Sequence, residues 1–521
     1  MTRSASTAAG SASMSEEAGA EQRTLDDNVD RALRGLFGRD SLYMLIWGIQ
    51  IAGAALVTPV VTRVMGTAEF GGVAAAYAVM QVTFVVAGLG LSTAIQRQYA
   101  GSDGPAQART LLSFALSTAV VVVVVLDTTG SLWSAQLGFG SYEGAVRLAV
   151  IWAGISAVTN SALALLRSMD RLLVFSCVSL LQSVAAEVAS LALVTTVSPT
   201  ATMFLLGQLG MQILALGLAL LYLRPTLLRR AHSALVRTSL AYGLPLVPAV
   251  LGTFVLTASD RFVVQDLLGP SELARYQVAY NIGSMPLLLI GVLSNAWLPR
   301  IFALERTRER AAVLAASRDS LFTLLIPVVL GLSIGAPLML RIWAPARYSP
   351  DELLLVTALV IIAVLPYTTG MAATRALLAH GSTRWIAGGT LVAAVANILL
   401  NLILVPRYEL VGSALATLLA YWLLQRLLVL RMQAVAPIPP TSPARVLALT
   451  GVALAALLAS ELPTSDLGMV LRSVAVLATL AWFTWQILSL TRAGARGRRR
   501  DETGVPPQPA LAATRPTDRR S

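Results

Sequence analysis

The sequence predicts an all-α polytopic membrane protein with about 14 transmembrane helices. Its 521 residues have a mean hydropathy of +0.71, and only 13% of them are charged. Apolar runs of about 20 residues recur along nearly the whole chain, and a helix needs that length to cross a hydrocarbon layer of roughly 30 Å. A transmembrane β-barrel would instead need strands of about ten residues with alternating apolar and polar side chains, a pattern that these runs lack.

An internal repeat indicates how the helices are grouped. Residues 66–77, GTAEFGGVAAAY, match residues 269–280, GPSELARYQVAY, without gaps at an offset of 203 residues. The same offset pairs Gly88 with Gly291. We therefore predict two six-helix bundles in parallel pseudo-repeat, related by an axis along the membrane normal, plus two C-terminal helices. Transporters built in this way carry their binding site between the two halves, near the membrane midplane.

The apolar runs and the polar ends divide the chain into five predicted parts. Both ends lack apolar runs and are rich in small, polar or basic residues, which is typical of disordered segments. The amphipathic stretch after the first tail is predicted to lie on the membrane surface. The parts are 1–24, a disordered cytoplasmic tail; 25–230, the N-terminal helix bundle with the interfacial helix and spans 1–6; 231–436, the C-terminal helix bundle with spans 7–12; 437–492, spans 13 and 14; and 493–521, a disordered basic cytoplasmic tail.

The positions of the apolar runs define the predicted spans. The third run is short, and the division between the eleventh and the twelfth, at Pro406–Glu409, is the least marked. The spans are 41–62, 73–95, 109–126, 145–167, 172–195, 201–223, 240–262, 275–298, 318–340, 353–376, 385–405, 410–432, 443–461 and 467–490.

The arginines predict the orientation of these spans. All basic residues are arginines, and the segments 224–237, 300–318 and 492–500 hold four, five and five of them. Because cytoplasmic loops carry the excess of basic residues, these segments are predicted to lie inside. Both termini are then predicted to be cytoplasmic, and an even number of spans agrees with this because it places both termini on the same side.

Composition argues against other classes of protein. The net charge of +12 does not indicate nucleic-acid binding, because the arginines lie between apolar segments and in the tails rather than on a basic face with interleaved aromatic residues. The sequence lacks a Gly-rich phosphate loop, a metal-ligand cluster and a nucleophile–base constellation. With two histidines and one cysteine, zinc or iron chemistry is not expected. We therefore expect no enzyme, no nucleic-acid partner and no cofactor.

Two predicted spans carry a polar face on an otherwise apolar helix. In span 8 this face consists of Gln277, Asn281, Ser284, Gly291 and Asn295. At the equivalent positions, span 2 has Gln81, Gly88 and Ser92. Close packing of helices through small residues and interhelical hydrogen bonds would explain both faces. A hydrated cavity lined by the two helices would explain them equally well, and the sequence leaves both explanations open.

Charged residues inside the spans are the strongest indication of a site, because an ionised group in hydrocarbon is costly unless it is paired or hydrated. Glu187 lies midway along span 5 and is expected to line water or to meet a cation. Asp260 and Arg261 lie in the outer part of span 7, where a structural ion pair is the alternative to a site. Arg63 lies near the outer end of span 1, where its side chain could instead extend to the interface. The face around Glu187 is otherwise made of serines: Ser176, Ser179, Ser183 and Ser190.

The neighbours Asp260 and Arg261 are expected to have different roles. Adjacent residues on a helix point about 100° apart, so the two side chains need not bond each other. We expect Arg261 to face the opening of the cavity and attract an anionic head group, and Asp260 to orient a neighbouring helix. The candidate substrate and cavity residues are Glu187, Asp260, Arg261, Arg63, Gln81, Ser92, Asn281, Ser284 and Asn295.

Three groups of motifs occur in a specific order. They are Arg63, Gly66 and Glu69-Phe70-Gly71; then Pro245, Asp260-Arg261-Phe262, Leu268-Gly269, Glu272, Tyr276 and Trp297-Leu298-Pro299; then Asn397, Asn401, Pro406, Gly412 and Thr417. In this order and spacing the sequence resembles the Wzx-type polysaccharide flippases of the multidrug/oligosaccharidyl-lipid/polysaccharide exporter superfamily. The resemblance covers roughly residues 30–490.

The resemblance implies two six-helix bundles that face each other across a V-shaped cavity. It also implies alternating-access transport of an undecaprenyl-diphosphate-linked oligosaccharide from the inner to the outer leaflet of the bacterial cytoplasmic (inner) membrane, for surface polysaccharide or exopolysaccharide biosynthesis. Arginines in the cavity would hold the anionic diphosphate or sugar acids. The implied partners are the lipid-linked oligosaccharide, membrane lipids, a polysaccharide polymerase and glycosyltransferases. Coupling to protons, to sodium or to the membrane potential stays open.

Three alternatives to this function stay open. A cation-coupled multidrug exporter of the same superfamily would suit the embedded carboxylate of Glu187. A flippase for a peptidoglycan precursor or a teichoic-acid-type lipid would have a similar sequence. A membrane scaffold without transport activity would suit the long arginine-rich C-terminal tail.

Overall fold

The fold was obtained as a computed structural model. It describes residues 53, 56–99, 103–137, 142, 144–226, 233–244, 246–291, 307–380, 382–435, 438–462 and 464–503. All regular elements within these residues are helices. The predicted disordered tail 1–24 and the predicted interfacial helix lie outside the described residues.

The two halves of the chain form two groups of helices. The N-terminal half consists of α1 (56–64), α2 (Thr67–Gly88), α3 (Leu91–Tyr99), α4 (Gly104–Thr128), α5 (Ala145–Ser168), α6 (Leu172–Thr196) and α7 (Ala201–Leu223), and a linking helix α8 (Ser233–Gly243) follows. The C-terminal half consists of α9 (Leu246–Leu268), α10 (Pro270–Gly283), α11 (285–291), α12 (Thr307–Trp343), α13 (Leu354–Ala379) and α14 (Thr383–Val435), and the two last helices are α15 (Pro443–Glu461) and α16 (Asp466–Thr503).

Ten helices in the described part of the chain are long and apolar enough to cross a membrane. The protein is therefore a multi-pass membrane protein, and the predicted all-α polytopic class is confirmed. The helix α14 counts once among the ten although it contains two predicted spans. Its backbone leaves the helical region at Glu409 (φ 49°, ψ −129°), which confirms the weak boundary predicted at Pro406–Glu409. The total of about 14 spans stays a prediction.

Several helix ends differ from the predicted span ends. The third span is a full-length helix, Gly104–Thr128, and not a short one. The helix α9 ends at Leu268 rather than at residue 262, and α16 continues to Thr503, so the start of the predicted disordered C-terminal tail is helical. An apolar run marks only the part of a helix that meets hydrocarbon, whereas backbone hydrogen bonds extend the helix into polar sequence.

The predicted span 2 is broken rather than continuous. Leu89 and Gly90 have positive φ angles of 46° and 68°, and they separate α2 from α3. A Cβ atom on Gly90 would lie 2.4 Å from the carbonyl oxygen of Gly243 at the end of α8. The break therefore needs glycine for two reasons, the left-handed backbone and the close contact with the linking helix.

The predicted span 8 is broken as well. Its first helix, α10, ends at Gly283, and Ser284 lies between it and α11. Pro286, in the first turn of α11, has no N–H with which to continue the hydrogen bonds of the preceding helix. The predicted continuous polar faces of spans 2 and 8 are therefore interrupted, because each helix changes direction part-way along.

The two copies of the repeat contact each other through their equivalent helices, α2 and α10. A Cβ atom on Gly71 would lie 1.8 Å from the carbonyl oxygen of Pro270, so only glycine allows the two backbones to come so close. The hydroxyls of Thr67 and Ser271 are hydrogen-bonded at 3.2 Å at the same contact. This contact lies where α1 meets α2, at the end of the molecule that the arginines predict to be outside. We call it the predicted outer end.

The two last helices pack on the C-terminal half. The buried Arg472 in α16 donates hydrogen bonds to the carbonyl oxygens of Ile334 in α12 and of Ala459 and Leu462 at the end of α15. Arg472 therefore joins α16 to α12 and to the C-terminal end of α15, where carbonyl groups lack partners within their own helix.

Candidate functional site

A cavity of about 330 Å³ lies between the two copies of the repeat. It contains both polar and aromatic side chains, and among the described residues one carboxylate and one guanidinium reach it. The lining residues are Val57, Thr58, Val61, Phe70, Val73, Ala74, Tyr77, Gln81, Glu187 and Phe204 from the N-terminal half, and Arg261, Gln277, Tyr280, Asn281 and Ser284 from the C-terminal half.

The lining follows the internal repeat. The 203-residue offset pairs Tyr77 with Tyr280 and Gln81 with Ser284, and all four residues line the cavity. The same offset pairs Thr58 with Arg261, which also line it. The two copies therefore contribute equivalent helices to the wall but different charges, because the guanidinium belongs to the second copy alone.

Arg261 is the basic group of the cavity, and it is held in one orientation by its neighbours. Its Nε atom donates to the Gln277 side chain at 2.8 Å, and its Nη1 atom donates to the carbonyl oxygen of Thr257 at 2.9 Å. The guanidinium carbon lies 4.5 Å from the ring centre of Tyr280, in a cation–π contact. Among the described residues, its Nη2 atom has no hydrogen-bond partner. Two N–H donors thus remain for an anionic or oxygen-rich ligand.

Asp260 pairs with Arg261, although adjacent positions on a helix do not require the two side chains to bond. Its Oδ1 atom lies 3.2 Å from Nη1 of Arg261 and also accepts the backbone N–H of Arg261 at 2.9 Å. Long side chains can bridge the angle between adjacent helix positions. The other carboxylate oxygen accepts the Tyr276 hydroxyl at 2.6 Å, which fixes α10 against α9. Asp260 is 2% exposed and does not line the cavity.

Glu187 reaches the cavity from the N-terminal half. The Tyr77 hydroxyl and the Gln208 side chain are its nearest polar neighbours. The helix α6 contains a π-helical segment, Leu181–Ala185, immediately before it. A π turn changes the angular position of the residues on either side of it, so the predicted serine face does not continue past this segment.

None of the four serines of that predicted face lines the cavity. Two of them bond within their own helix, Ser176 to the Leu172 carbonyl and Ser183 to the Ser179 carbonyl. Ser190 donates to the carbonyl oxygen of Phe204 at 2.8 Å and so joins α6 to α7. Within the predicted face, Glu187 alone reaches the cavity.

Five of the nine predicted site residues line the cavity. Arg63 is exposed, and its Nη1 atom donates to the carbonyl oxygen of Pro59 at 2.7 Å. Ser92 follows the break at Leu89 and does not line the cavity. Asn295 lies outside the described residues. The predicted residues on the cavity are Glu187, Arg261, Gln81, Asn281 and Ser284.

Sequence reasoning missed the aromatic part of the lining. Tyr280, Phe70 and Phe204 line the cavity although they carry no charge and lie in apolar sequence. One signal was present, because Tyr77 and Tyr280 occupy the same position of the repeat. Aromatic rings beside polar groups provide faces on which sugar rings can pack.

The cavity is closed at the predicted outer end by contacts between the two halves. Arg347, in the turn between α12 and α13, donates hydrogen bonds to the carbonyl oxygens of Thr62, Arg63 and Met65, the last of these at 2.5 Å. These carbonyls belong to the C-terminal end of α1 and the turn after it, where carbonyl groups lack helical partners and the helix dipole favours a cation. We call this set of bonds the Arg347 contact.

Two further interactions accompany the Arg347 contact. The rings of Phe70 and Tyr348 meet edge to face, with 6.4 Å between their centres. The Thr62 hydroxyl donates to the carbonyl oxygen of Trp343. Burial raises the pKa of Tyr348 to about 12, so its phenol is neutral at physiological pH. The predicted outer end is therefore sealed by the packing of two aromatic rings and by hydrogen bonds to backbone carbonyls, three of which Arg347 donates.

Residues 37–305, just over half of the chain, match the model of the polysaccharide biosynthesis protein family. The chain belongs to this family. This confirms the resemblance stated from the motifs. No curated protein sequence matches the chain.

Several solved structures share the fold of this family member. An inward-facing multidrug resistance MATE family transporter of the MOP superfamily aligns with a TM-score of 0.62 and 15% identity, over 82% of this chain and 98% of the transporter. The lipid II flippase MurJ, in an inward closed conformation, aligns with a TM-score of 0.62 and 15% identity, over 85% of this chain and 98% of the flippase. An outward-facing MATE transporter aligns with a TM-score of 0.54 and 13% identity, over 81% of this chain and 96% of the transporter.

These similarities establish the fold of the chain. By their names, the proteins that share it are transporters and a flippase rather than enzymes, in agreement with the prediction for this chain. Within the described residues, no group of three or more His, Cys, Asp or Glu side chains could hold a metal ion. The expectation about cofactors stays a prediction.

Proposed function

We propose that this protein is a flippase that moves an undecaprenyl-diphosphate-linked oligosaccharide from the inner to the outer leaflet of the bacterial cytoplasmic membrane, for surface polysaccharide biosynthesis. One observation carries the proposal: the cavity between the two copies contains a guanidinium whose Nη2 edge is unoccupied, beside tyrosine, glutamine and asparagine side chains. Membership of the polysaccharide biosynthesis protein family supports it.

The cavity groups suit the polar part of such a substrate. The Nη2 edge of Arg261 donates to a phosphate or sugar oxygen, because a guanidinium presents planar paired N–H groups to such acceptors. Tyr77, from the N-terminal half, offers a ring to a sugar, whereas Tyr280, from the C-terminal half, is 6% exposed and holds the guanidinium. Gln81 and Asn281 supply amide donors and acceptors for sugar hydroxyls.

Transport then requires the two halves to separate. The cavity of about 330 Å³ lies between the halves, and the Arg347 contact joins them at the predicted outer end. On this proposal the Arg347 contact and the α2–α10 contact open when the substrate leaves outward, and the opposite ends of the bundles close. Proton, sodium or membrane-potential coupling supplies the direction, and a polymerase and glycosyltransferases act on either side of the step.

The test is deletion of the gene in its host, followed by complementation. We expect the deletion strain to accumulate lipid-linked glycan on the inner leaflet and to lose surface polymer, and the wild-type gene to restore both. The measurement is the fraction of lipid-linked glycan that an impermeant periplasmic glycosidase can cleave. Unchanged surface glycan and unchanged cleavable fraction in the deletion strain would contradict the proposal.

A second candidate function is a cation-coupled multidrug exporter, and Glu187 is the observation that favours it. A carboxylate in the cavity can bind a cationic drug or a coupling ion. The deletion strain would then become sensitive to cationic dyes while its surface glycan stays normal. The same experiment separates two further candidates. Loss of cell-wall precursor from the outer leaflet of the deletion strain would indicate a peptidoglycan-precursor or teichoic-acid-type flippase. Complementation of that strain by a cavity variant without transport activity would indicate a scaffold.

A further inference from the structure

A cluster of two arginines and a tryptophan lies outside the cavity lining, where the two arms of α14 come together. The first arm begins at Thr383 and the second ends at Val435. The guanidinium carbon of Arg431 lies 3.2 Å from the ring centre of Trp385, and that of Arg384 lies 5.7 Å from it. We call these three residues the Trp385 cluster.

Among the residues that the structure describes, no acidic side chain pairs with the two positive charges of the Trp385 cluster. No ion pair or hydrogen bond joins either guanidinium to the part of the chain that the structure describes. Arg384 is also the second residue of its helix, where the helix dipole disfavours a cation, and the first turn of α14 contains no acidic residue. Two guanidiniums on one indole repel each other, so the arrangement is stable when an anion lies between them.

The surroundings of the cluster fit a lipid better than a soluble ligand. The side chains of Leu391 and Leu430, on the same two arms, are 58% and 51% exposed, so they face the space that the membrane fills. Tryptophan is enriched where a membrane protein crosses the head-group region. Arginines near the membrane surface attract the phosphates of anionic lipids. The cluster therefore combines a cationic surface at head-group level with an apolar surface below it.

We propose that the Trp385 cluster binds the head group of an anionic phospholipid, whose phosphate lies between Arg384 and Arg431 while its acyl chains follow Leu391 and Leu430. The lipid bridges the start of the first arm of α14 and the end of the second. It thereby stabilises this pair of helices without taking part in transport through the cavity.

The experiment uses the full-length protein in nanodiscs of phosphatidylcholine alone or with phosphatidylglycerol. We expect phosphatidylglycerol to raise the melting temperature of the wild type, and native mass spectrometry to show retained phosphatidylglycerol after mild delipidation. The double variant Arg384→Gln/Arg431→Gln should lose both effects. Each arginine near an anionic surface contributes about a fivefold change in affinity, so the double variant should bind about 25-fold more weakly.

Arg426 provides the matched control, because it is an exposed arginine on the second arm of α14 and is not part of the cluster. Arg426→Gln should keep the phosphatidylglycerol effect. If the double variant does not fold, the wild type alone still tests the proposal. High salt should abolish its retention of phosphatidylglycerol if a contact with the phosphate is responsible.

Three results would overturn the proposal. The first is equal retention of phosphatidylglycerol by the wild type and the double variant. The second is an equal loss in the Arg426→Gln control, which would indicate general surface charge. The third is displacement of phosphatidylglycerol by an equal amount of undecaprenyl phosphate, which would assign the cluster to the transported lipid.

Discussion

At the scale of single residues, the cavity depends on how Arg261 is held. Gln277, the Thr257 carbonyl and Asp260 occupy the Nε and Nη1 side of the guanidinium, and Tyr280 covers its face. The Nη2 edge is left for a ligand. A buried charge that is fixed by its neighbours loses little conformational entropy when a ligand binds, which favours affinity.

We expect Arg261→Ala to abolish transport while the protein still inserts, and Arg261→Lys to restore only part of it, because a single ammonium replaces a planar pair of donors. The measurement is the periplasm-accessible fraction of lipid-linked glycan at equal protein abundance. Arg63→Ala is the matched control, since Arg63 is exposed and does not line the cavity. Normal transport by Arg261→Ala would show that the substrate charge is bound elsewhere.

Asp260 is expected to act on folding rather than on turnover. Asp260→Asn leaves the buried Arg261 without its counter-ion, and breaking a buried pair costs about 3–5 kcal/mol. Tyr276→Phe removes one hydrogen bond to the same carboxylate and should cost about 1.5–3 kcal/mol. The measurement is the yield of folded protein, with turnover given per folded molecule. Full yield with reduced turnover for Asp260→Asn would instead indicate a direct role in transport.

At the scale of helices, the contacts at the predicted outer end decide which conformation is stable. Arg347 binds the end of α1 from the other half of the molecule, and α2 meets α10 at Gly71. These interactions join the halves through few side chains, so small changes can shift the balance between closed and open states.

We expect Arg347→Ala to open the predicted outer end. Three hydrogen bonds to carbonyl groups are lost, and those carbonyls at the end of α1 are left without a partner. The measurement is labelling of Thr58→Cys in a Cys177→Ser background by an impermeant maleimide from outside, which should become several-fold faster. Arg341→Ala is the control, because Arg341 lies at the same end and faces Asp351 at 3.7 Å. An unchanged labelling rate would show that Arg347 does not keep the predicted outer end closed.

Gly71→Ala tests the contact between the two copies directly. Its Cβ would collide with the Pro270 carbonyl, so α2 and α10 must separate at a cost of about 1–3 kcal/mol. We expect a lower melting temperature and faster labelling from outside. Gly66→Ala, a few residues earlier, should change neither, since nothing lies within 4 Å of a Cβ there. An unchanged melting temperature for Gly71→Ala would contradict the close approach of the two helices.

At the scale of the whole molecule, the duplication creates a cavity with unequal walls. Each copy supplies the equivalent helix, α2 or α10, but Glu187 comes from the first half and Arg261 from the second. Two opposite charges on opposite halves give the substrate different contacts on each side, so separation of the halves changes how strongly it is bound.

The orientation of the molecule can be tested by reporter fusions. We expect a fusion after Ala346 to report the outside and a fusion after Arg310 the inside, because the arginine-rich loops stay cytoplasmic. The readout is paired alkaline phosphatase and fluorescent-protein activity. An inside signal after Ala346 would place the Arg347 contact at the cytoplasmic end and reverse the predicted topology.

The sequence by itself determined the class of protein, the repeat and most of the helix positions. Hydropathy alone predicts which segments need a membrane, and the boundary at Glu409 and the position of Glu187 on the cavity follow from local composition. The match of residues 66–77 to residues 269–280 predicted which helices are equivalent. These features are local or periodic, so they can be read from one chain.

Tertiary structure decided which polar residues share the cavity. The break at Leu89–Gly90, the π segment before Glu187 and the turn at Ser284 rotate residues away from the faces that a straight helix predicts. These irregularities are stabilised by contacts from distant segments, such as Gly243 against Gly90. The pairing of Asp260 with Arg261 and the binding of Arg347 to α1 depend on side-chain rotamers and on the packing of separate helices. A periodic sequence pattern contains no information about side-chain rotamers or about the packing of separate helices. These two interactions could therefore be found only in the folded molecule.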